Sequence, residues 1–143
     1  MIQNIYSSPI PVRSAAILTT SYVAGTVIGD TKYVTTANQL QVYINFTLGS
    51  LTDCQVKIEF SSDGTNYYQE TFDSISSGTN THSLGVHKFT ATGAYRLSVP
   101  IRDRYIKISA IGTGVVTSSS LQIDAILAWA SFLKYDYLNW KRI

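Results

Sequence analysis

Hydrophobic and polar residues alternate along most of this chain. Every second residue is apolar from Leu40 to Leu48, and the same pattern runs from Cys54 to Phe60. Side chains on a β-strand point to opposite faces in turn, so each of these segments has one buried face and one wetter face. A helical period becomes possible only after residue 128. The pattern therefore predicts an all-β domain of two packed sheets.

Turn residues divide the body of this domain, residues 13–129, into short segments. The clearest turn signals are Gly29-Asp30, Gly49-Ser50, Asp63-Gly64 and Gly112-Thr113-Gly114. The predicted strands lie near residues 14–20, 22–28, 39–48, 54–61, 66–73, 82–90, 94–101, 104–111 and 115–129. A spacing of about 8–12 residues between turns is typical of a sandwich or barrel. Because proline lacks a ladder donor, Pro100 is predicted to mark an edge strand or a bend.

The hairpin around Asp63-Gly64 is the most specific of these predictions. Asp-Gly favours the two positive φ angles of a type I′ turn, which closes a two-residue loop. In the sequence, such a loop sets Phe60 opposite Tyr67 and Lys57 opposite Glu70. One aromatic pair and one pair of opposite charges would then stabilise the hairpin, each by about 0.2–1 kcal/mol.

The first twelve residues form an apolar N-terminal arm, residues 1–12. Pro9 and Pro11 exclude a helix there and remove two backbone donors. An extended apolar terminus is either the first edge strand of a sheet or an arm that lies on another molecule. Both alternatives stay open. The side chains concerned are Ile2, Ile5, Tyr6, Ile10 and Val12.

An aromatic C-terminal tail, residues 130–143, follows the last predicted strand. Its periodicity is compatible with a helix and with a strand. Such a tail either wraps its own sandwich or docks on a neighbouring protein, because each buried aromatic side chain removes about 150–250 Å² of surface from water. Tyrosine and tryptophan are enriched at the centres of interfaces, so contact with a partner is expected. The aromatic residues are Trp129, Phe132, Tyr135, Tyr137 and Trp140.

Composition narrows the function classes. Charged residues make up 14% of the chain and the net charge is +2, too small and too scattered to indicate nucleic-acid binding. The single cysteine, Cys54, excludes an intrachain disulfide and is predicted to be a small buried hydrophobic residue. No secretory leader and no membrane-length apolar segment is visible. The chain is therefore expected to be soluble and made in a cytoplasm.

The polar residues do not form a recognisable catalytic or metal-binding motif. His82 and His87 are expected on opposite faces of a strand, without further ligands nearby. Glu59 and Glu70 are predicted to be solvated, and Asp103 to pair locally with its flanking arginines. The sequence thus predicts a protein that is not an enzyme and has no catalytic residue, no metal site and no cofactor.

Tyrosine is unusually frequent, with ten in the chain. Tyr67 and Tyr68 are adjacent, and exposed aromatic rings on a β-sandwich are typical platforms for sugars. Neighbouring residues on a strand point to opposite faces, so at most one of the two can serve a given platform. The alternative is that both rings pack in the core with their hydroxyl groups at its rim.

Several of these segments together resemble a known family. Turns and strand edges in Leu40–Phe46, Val56–Glu70, Thr90–Leu97, Pro100–Ile108 and Gly112–Gly114 resemble small β-sandwich virion structural proteins of tailed bacteriophages, of the capsid decoration or auxiliary type. The resemblance covers about 90 residues and excludes the tail. The Phe-Ser-x-Asp-Gly-x-x-Tyr hairpin is also similar to discoidin-type carbohydrate-binding sandwiches.

The resemblance implies a jelly-roll-like, antiparallel two-sheet sandwich without enzymatic activity. It would be made in the host cytoplasm and reside in the virion, where many copies bind the major capsid protein or another virion protein as an oligomer or through lattice contacts. No nucleic acid or membrane is expected as a partner. The alternatives are a carbohydrate-binding or adhesin module that uses Tyr67 or Tyr68, and a neck or tail structural protein. The partner-binding residues are expected from the apolar and aromatic character of the two ends and not from the resemblance. They are Ile2, Ile5, Tyr6 and Ile10 in the arm, Trp129 at the end of the last predicted strand, and Phe132, Tyr135, Tyr137 and Trp140 in the tail.

Overall fold

A computed structural model of the chain describes residues 4–29 and 37–130, and these ranges contain twelve β-strands. The strands are β1 (Asn4–Tyr6), β2 (Ile10–Ala16), β3 (Val23–Ala24), β4 (Gln39–Thr47), β5 (Leu51–Ser61), β6 (Tyr68–Gln69), β7 (Thr71–Ser76), β8 (Thr79–Leu84), β9 (His87–Phe89), β10 (Gly93–Pro100), β11 (Tyr105–Gly114) and β12 (Ser120–Ala130). The predicted all-β class is confirmed.

Two antiparallel sheets pack face to face. Sheet A has the order β1-β12-β4-β10, with β2 also paired to β12, and sheet B has the order β3-β11-β5-β6, with β9 also paired to β5. If β6 and β9 are counted as one interrupted strand, the pairs nest from the ends of the chain toward its middle: β2 with β12, β3 with β11, β4 with β10, and β5 with β6 and β9. This nesting is the strand order of a jelly roll.

The core lies between the two sheets and follows the period-two pattern of the sequence. Alternate residues of β4 are buried, whereas those between them are exposed or half-buried. The buried core residues include Leu40, Ile44 and Phe46 from β4, Val56, Ile58 and Phe60 from β5, Ile106 and Ile108 from β11, and Leu121, Ile123 and Leu127 from β12. Cys54 is fully buried among them, as predicted, and burial raises the pKa of its thiol to about 11.

The described part of the N-terminal arm forms the edge of sheet A. In β1, Ile5 lies opposite Trp129, and in β2, Ile10 lies opposite Ala125. Between them, the Ser7 amide donates to the Leu127 carbonyl at 2.8 Å, and the Ser7 hydroxyl accepts from the Leu127 amide at 2.9 Å. Of the two alternatives for this segment, the structure shows the edge strand. Its role as an intermolecular arm stays a prediction.

The same side of the sandwich is closed by a hydrogen bond between the sheets. The Thr26 amide, just after β3, donates to the Val12 carbonyl of β2 at 2.8 Å. A Cβ atom at Gly25 would lie 2.5 Å from that carbonyl oxygen, so a side chain would push the two strands apart. Glycine at this position therefore lets the first strands of both sheets approach each other.

The predicted register of the Asp63-Gly64 hairpin is wrong by one residue. Phe60 lies opposite Tyr68 rather than Tyr67. Asp63 does not adopt the positive φ of a type I′ turn. Its carboxylate instead accepts from the Thr65 and Asn66 amides, both at 2.8 Å, and these bonds hold the pKa of Asp63 well below its usual range. This side-chain cap builds a longer loop than Asp-Gly alone predicts.

The shifted register also changes the ion pairs. Glu70 does not pair with Lys57, and its carboxylate accepts from Arg102 at 2.8 Å. Arg102, which the sequence predicted to pair with Asp103, thereby links the end of β6 to the connection between β10 and β11. Lys57 lies 3.6 Å from Glu59 on its own strand.

Pro100 lies where the sequence placed it, at an edge. It is the last residue of β10, which is the outer strand of sheet A in the order of the described strands. The connection continues from there, because the Ile101 amide donates to the Asn38 carbonyl at 3.1 Å. A proline at this position removes no bond from the centre of the sheet, so the prediction of an edge strand is confirmed.

Strands β7 and β8 form a hairpin inserted into the outer strand of sheet B. Strands β6 and β9 lie in line along β5, with Gln69 opposite Glu59 and His87 opposite Val56. The twelve hairpin residues in strands are all exposed. At the base, the Gly85 amide donates to the Glu70 carbonyl at 2.9 Å. The two long strands predicted at residues 66–73 and 82–90 are therefore each broken in two.

Candidate functional site

An apolar groove of about 670 Å³ lies where the N-terminal edge strand meets the end of β12. Two buried side chains, Ile28 and Leu127, form its floor. Ile5, Tyr6 and Val27 line its rim and are 38%, 59% and 40% exposed. Exposed aromatic and aliphatic side chains around a concave surface are typical of a site that binds another molecule.

Backbone pairing on both sides holds the groove open. On one side, the bonds between Ser7, which directly follows β1, and Leu127 hold β1 along β12 of sheet A. On the other side, Ile28 forms a two-way bridge with Ile106, with N–O distances of 2.9 and 2.8 Å. The walls therefore belong to different sheets, and the groove is the open end of the cleft between them.

The chemistry of the groove is almost entirely hydrophobic. The residues that line it include the hydroxyls of Ser7 and Ser8 but no ionisable side chain apart from the phenol of Tyr6. An apolar ligand loses little hydrogen bonding there, and each Å² that it buries contributes about 25 cal/mol. The Ser7 hydroxyl already bonds to the Leu127 amide and the Ser8 carbonyl. The groove therefore suits an extended apolar segment that presents a backbone group to the Ser8 hydroxyl.

Four of the predicted partner-binding residues meet in this groove. Ile5, Tyr6, Ile10 and Trp129 all line it, although the last is far from the others in sequence. Two further residues of the groove, Val27 and Ile28, were not predicted from the sequence. These two residues are adjacent and apolar, and on a strand one of them must face away from the core. An apolar side chain on the outer face was the sequence feature that could have indicated a binding surface. The other predicted residues, Ile2, Phe132, Tyr135, Tyr137 and Trp140, lie outside the described residues.

Tyr67 and Tyr68 occupy different environments. Tyr68 in β6 lies opposite the buried Phe60 of β5 and is 70% exposed. Tyr67 precedes β6 and is half-buried, with the Lys107 ammonium 4.2 Å from the centroid of its ring. The two rings therefore cannot form one platform.

A row of charged and aromatic side chains crosses the outer face of sheet B; we call it the lysine–tyrosine row. It consists of Tyr22, Lys57, Glu59, Lys107 and Tyr67. One carboxylate oxygen of Glu59 lies 3.6 Å from the Lys57 ammonium and 3.9 Å from that of Lys107. The Lys57 ammonium lies 4.4 Å from the centroid of the Tyr22 ring. Burial, with smaller effects of nearby negative groups, raises the pKa of the Tyr22 hydroxyl.

Glu59 is not the solvated residue that the sequence predicted. Its side chain is 12% exposed, and those of Lys57 and Lys107 are 23% and 28% exposed. The long lysine stems cover the carboxylate while their ammonium groups rest on aromatic rings. No sequence motif marks this row, because its members come from separate strands that only the sheet brings together.

The two histidines lie apart. His82 in β8 has its Nδ1 atom 2.6 Å from a carboxylate oxygen of Asp73 in β7. His87 in β9 is half-buried, and burial lowers its pKa. Within residues 4–29 and 37–130, no three His, Cys, Asp or Glu side chains are grouped as metal ligands would be.

No family model matches the chain, and no curated protein matches it. Within the described residues, no helix is long and apolar enough to cross a membrane. What the chain binds is therefore inferred from the chemistry of its own surfaces.

Proposed function

We propose that this chain is a non-enzymatic virion structural protein of the capsid decoration or auxiliary type. It is made in the host cytoplasm and attaches in many copies to the major capsid protein or another virion protein. The observation that supports this proposal is the apolar groove, which gathers Ile5, Tyr6, Ile10 and Trp129 from the two ends of the described chain. The sandwich supplies a rigid body, and the groove supplies the contact.

The proposed ligand of the groove is an extended apolar segment of a capsid subunit. Among the described strands, β1 pairs with β12 alone, so its other edge can accept a further strand. Backbone bonds along that edge would fix the segment, and the apolar rim would bury its side chains. Association costs about 4–15 kcal/mol of rigid-body freedom. Repetition over a symmetric lattice lets contacts that are weak singly hold a decoration layer together.

Co-sedimentation with capsid shells tests this proposal. The shells would be assembled from the major capsid protein encoded alongside this chain. Two tyrosines provide a matched pair, since Tyr6 in the groove is 59% exposed and Tyr68 outside it is 70% exposed. Tyr6→Ser is expected to weaken binding at least about tenfold, because interface tyrosines are frequent hot spots. Tyr68→Ser is expected to bind like the unmodified protein.

Two outcomes of this assay contradict the proposal. One is that the unmodified protein does not sediment with the shells, and the other is that the two variants bind equally well. Quantitative mass spectrometry of purified particles then separates the locations. Many copies per particle indicate the capsid lattice, whereas a few copies indicate the neck or the tail.

A carbohydrate-binding role is the second candidate function. The lysine–tyrosine row favours it, because it combines ammonium donors, a carboxylate acceptor and aromatic rings on one face.

A further inference from the structure

We propose that the outer face of sheet B binds a neutral oligosaccharide through the lysine–tyrosine row, independently of the groove. The row runs from Tyr22, just before β3, across β11 and β5 to Tyr67, just before β6, and these four strands are neighbours in the sheet. At about 4.8 Å between strands, that distance is about 14 Å, the length of a short oligosaccharide.

The arrangement of charges along the row is more complementary to the hydroxyl groups of a sugar than to a charged ligand. Glu59 lies between two ammonium groups, and the N–O distances of 3.6 and 3.9 Å exceed those of an ordinary hydrogen bond. The contact is therefore electrostatic and leaves N–H groups of both lysines for a ligand. A sugar hydroxyl accepts from an ammonium and donates to a carboxylate at once. An anion at the same place would meet the Glu59 charge.

The lysines are already held in position. Each ammonium lies over a tyrosine ring, at 4.4 Å for Lys57 and 4.2 Å for Lys107. Both stems are about three-quarters buried, so little side-chain freedom is left to lose when a ligand binds. Beneath them Ser109, opposite Lys57, is buried and closes the floor. The surface is thus a preformed, shallow array of donors and acceptors with an aromatic ring at each end.

Glycan arrays followed by calorimetry test this site with matched pairs of variants. Glu59→Gln and Glu70→Gln make the same change inside and outside the row, and Tyr67→Ala and Tyr68→Ala do so for neighbouring tyrosines. We expect neutral oligosaccharides to bind the unmodified protein. Glu59→Gln and Tyr67→Ala should each weaken binding at least about tenfold, since each removes a desolvated contact. The two control variants should stay within about twofold of the unmodified protein.

Three results would overturn the proposal: no binding of neutral glycans, loss of binding in Tyr68→Ala with retention in Tyr67→Ala, or selection of acidic glycans that Glu59→Gln binds more tightly. The last result would identify an anion site instead. If a row variant fails to fold, NMR of the unmodified protein provides the test instead. Changes in the backbone amide chemical shifts of Lys57 and Lys107 on titration with the best-bound neutral glycan would support the site, and unchanged shifts would contradict it. Capsid binding by Glu59→Gln should be normal, so failure of this site is distinguishable from failure of the groove.

Discussion

At the scale of single residues, two loop glycines share a left-handed backbone but differ in their surroundings. Gly49 has φ 57°, and a Cβ atom there would overlap the carbonyl of Ser118. Gly78 has φ 78°, and nothing lies within 4 Å of the corresponding position. Both would suffer the same backbone strain on gaining a side chain, of about 1–2 kcal/mol. Only Gly49 would also have to move its neighbour.

We therefore expect Gly49→Ala to be the more damaging of two otherwise equal substitutions. It should lower the free energy of unfolding by about 1–3 kcal/mol more than Gly78→Ala, which is the cost typical of overpacking. Urea denaturation of both variants and of the unmodified protein measures the difference. Equal losses would mean that the loop after β4 yields freely to the added methyl group.

The buried thiol of Cys54 gives a prediction that depends on pH. Burial raises its pKa to about 11 from an ordinary value of 9.0, so the folded state favours the neutral thiol. This contribution to stability is fully present below pH 9 and is lost as the pH rises toward 11. At pH 8 the folded protein should react with a thiol reagent far more slowly than the same protein in 6 M guanidinium, about as slowly as it unfolds. Rapid labelling without denaturant would show that the reagent reaches Cys54 in the folded state.

Residue-scale predictions from sequence succeeded where a single strand decides the environment. Cys54 shares its face with Val56 and Ile58, so its burial could be predicted from alternation alone. Glu59 alternates in the same strand and was predicted to be solvated. Its actual burial depends on Lys107, which reaches it from β11, and the sequence does not reveal that pairing.

At the scale of elements, the β7–β8 hairpin is an addition to a sandwich that is complete without it. Its strand residues are all exposed, and the Gly85 amide and the Glu70 carbonyl at its base are already 2.9 Å apart. Phe72 is the side chain that reaches back, since its ring lies against Gly85 and lines a small cavity of about 30 Å³ beside Phe60. Removing the hairpin would therefore lose little buried surface.

Replacing residues 71–84 with two glycines should thus leave a folded protein. We expect one cooperative thermal transition and a loss of less than about 2 kcal/mol, most of it from Phe72. Phe72→Ala in the intact hairpin is the control, since it should account for most of that loss. Circular dichroism during heating measures both. A chain without a cooperative transition would show that β6 and β9 need the hairpin in order to align on β5.

The alternating strands could be predicted closely, whereas the broken ones could not. Alternation predicted β4 at residues 39–48, and the structure has Gln39–Thr47. Around the β7–β8 hairpin polar residues fall on both faces, so no alternation fixes the register or marks where a strand ends. Between β5 and β6, the Asp63 cap decides the register, through side-chain hydrogen bonds that compete with the turn geometry favoured by Asp-Gly.

At the scale of the whole molecule, the fold is set by pairings between the two ends of the chain. Ser7 bonds to Leu127, and β2 pairs with β12. Local sequence carries no information on such pairings. The groove exists because these ends meet. Its residues could be named individually from sequence, but their assembly into one surface required the topology.

The same meeting of the ends predicts that the sandwich tolerates new termini. Asn4 and Ala130 are paired residues in neighbouring antiparallel strands, so their Cα atoms are about 5 Å apart. A short glycine linker from residue 130 to residue 4, with new termini between Ser77 and Gly78 at the exposed hairpin tip, leaves every described strand intact. We expect this circular permutant, which lacks residues 1–3 and 131–143, to unfold cooperatively at a temperature within about 10 °C of the full chain. The linker joins the strands beside Ile5 and Trp129, which are paired and both line the groove. We therefore expect the permutant to lose capsid binding while it keeps any glycan binding. An unfolded permutant would contradict this expectation and would show that the sandwich needs its original connectivity or the omitted terminal residues.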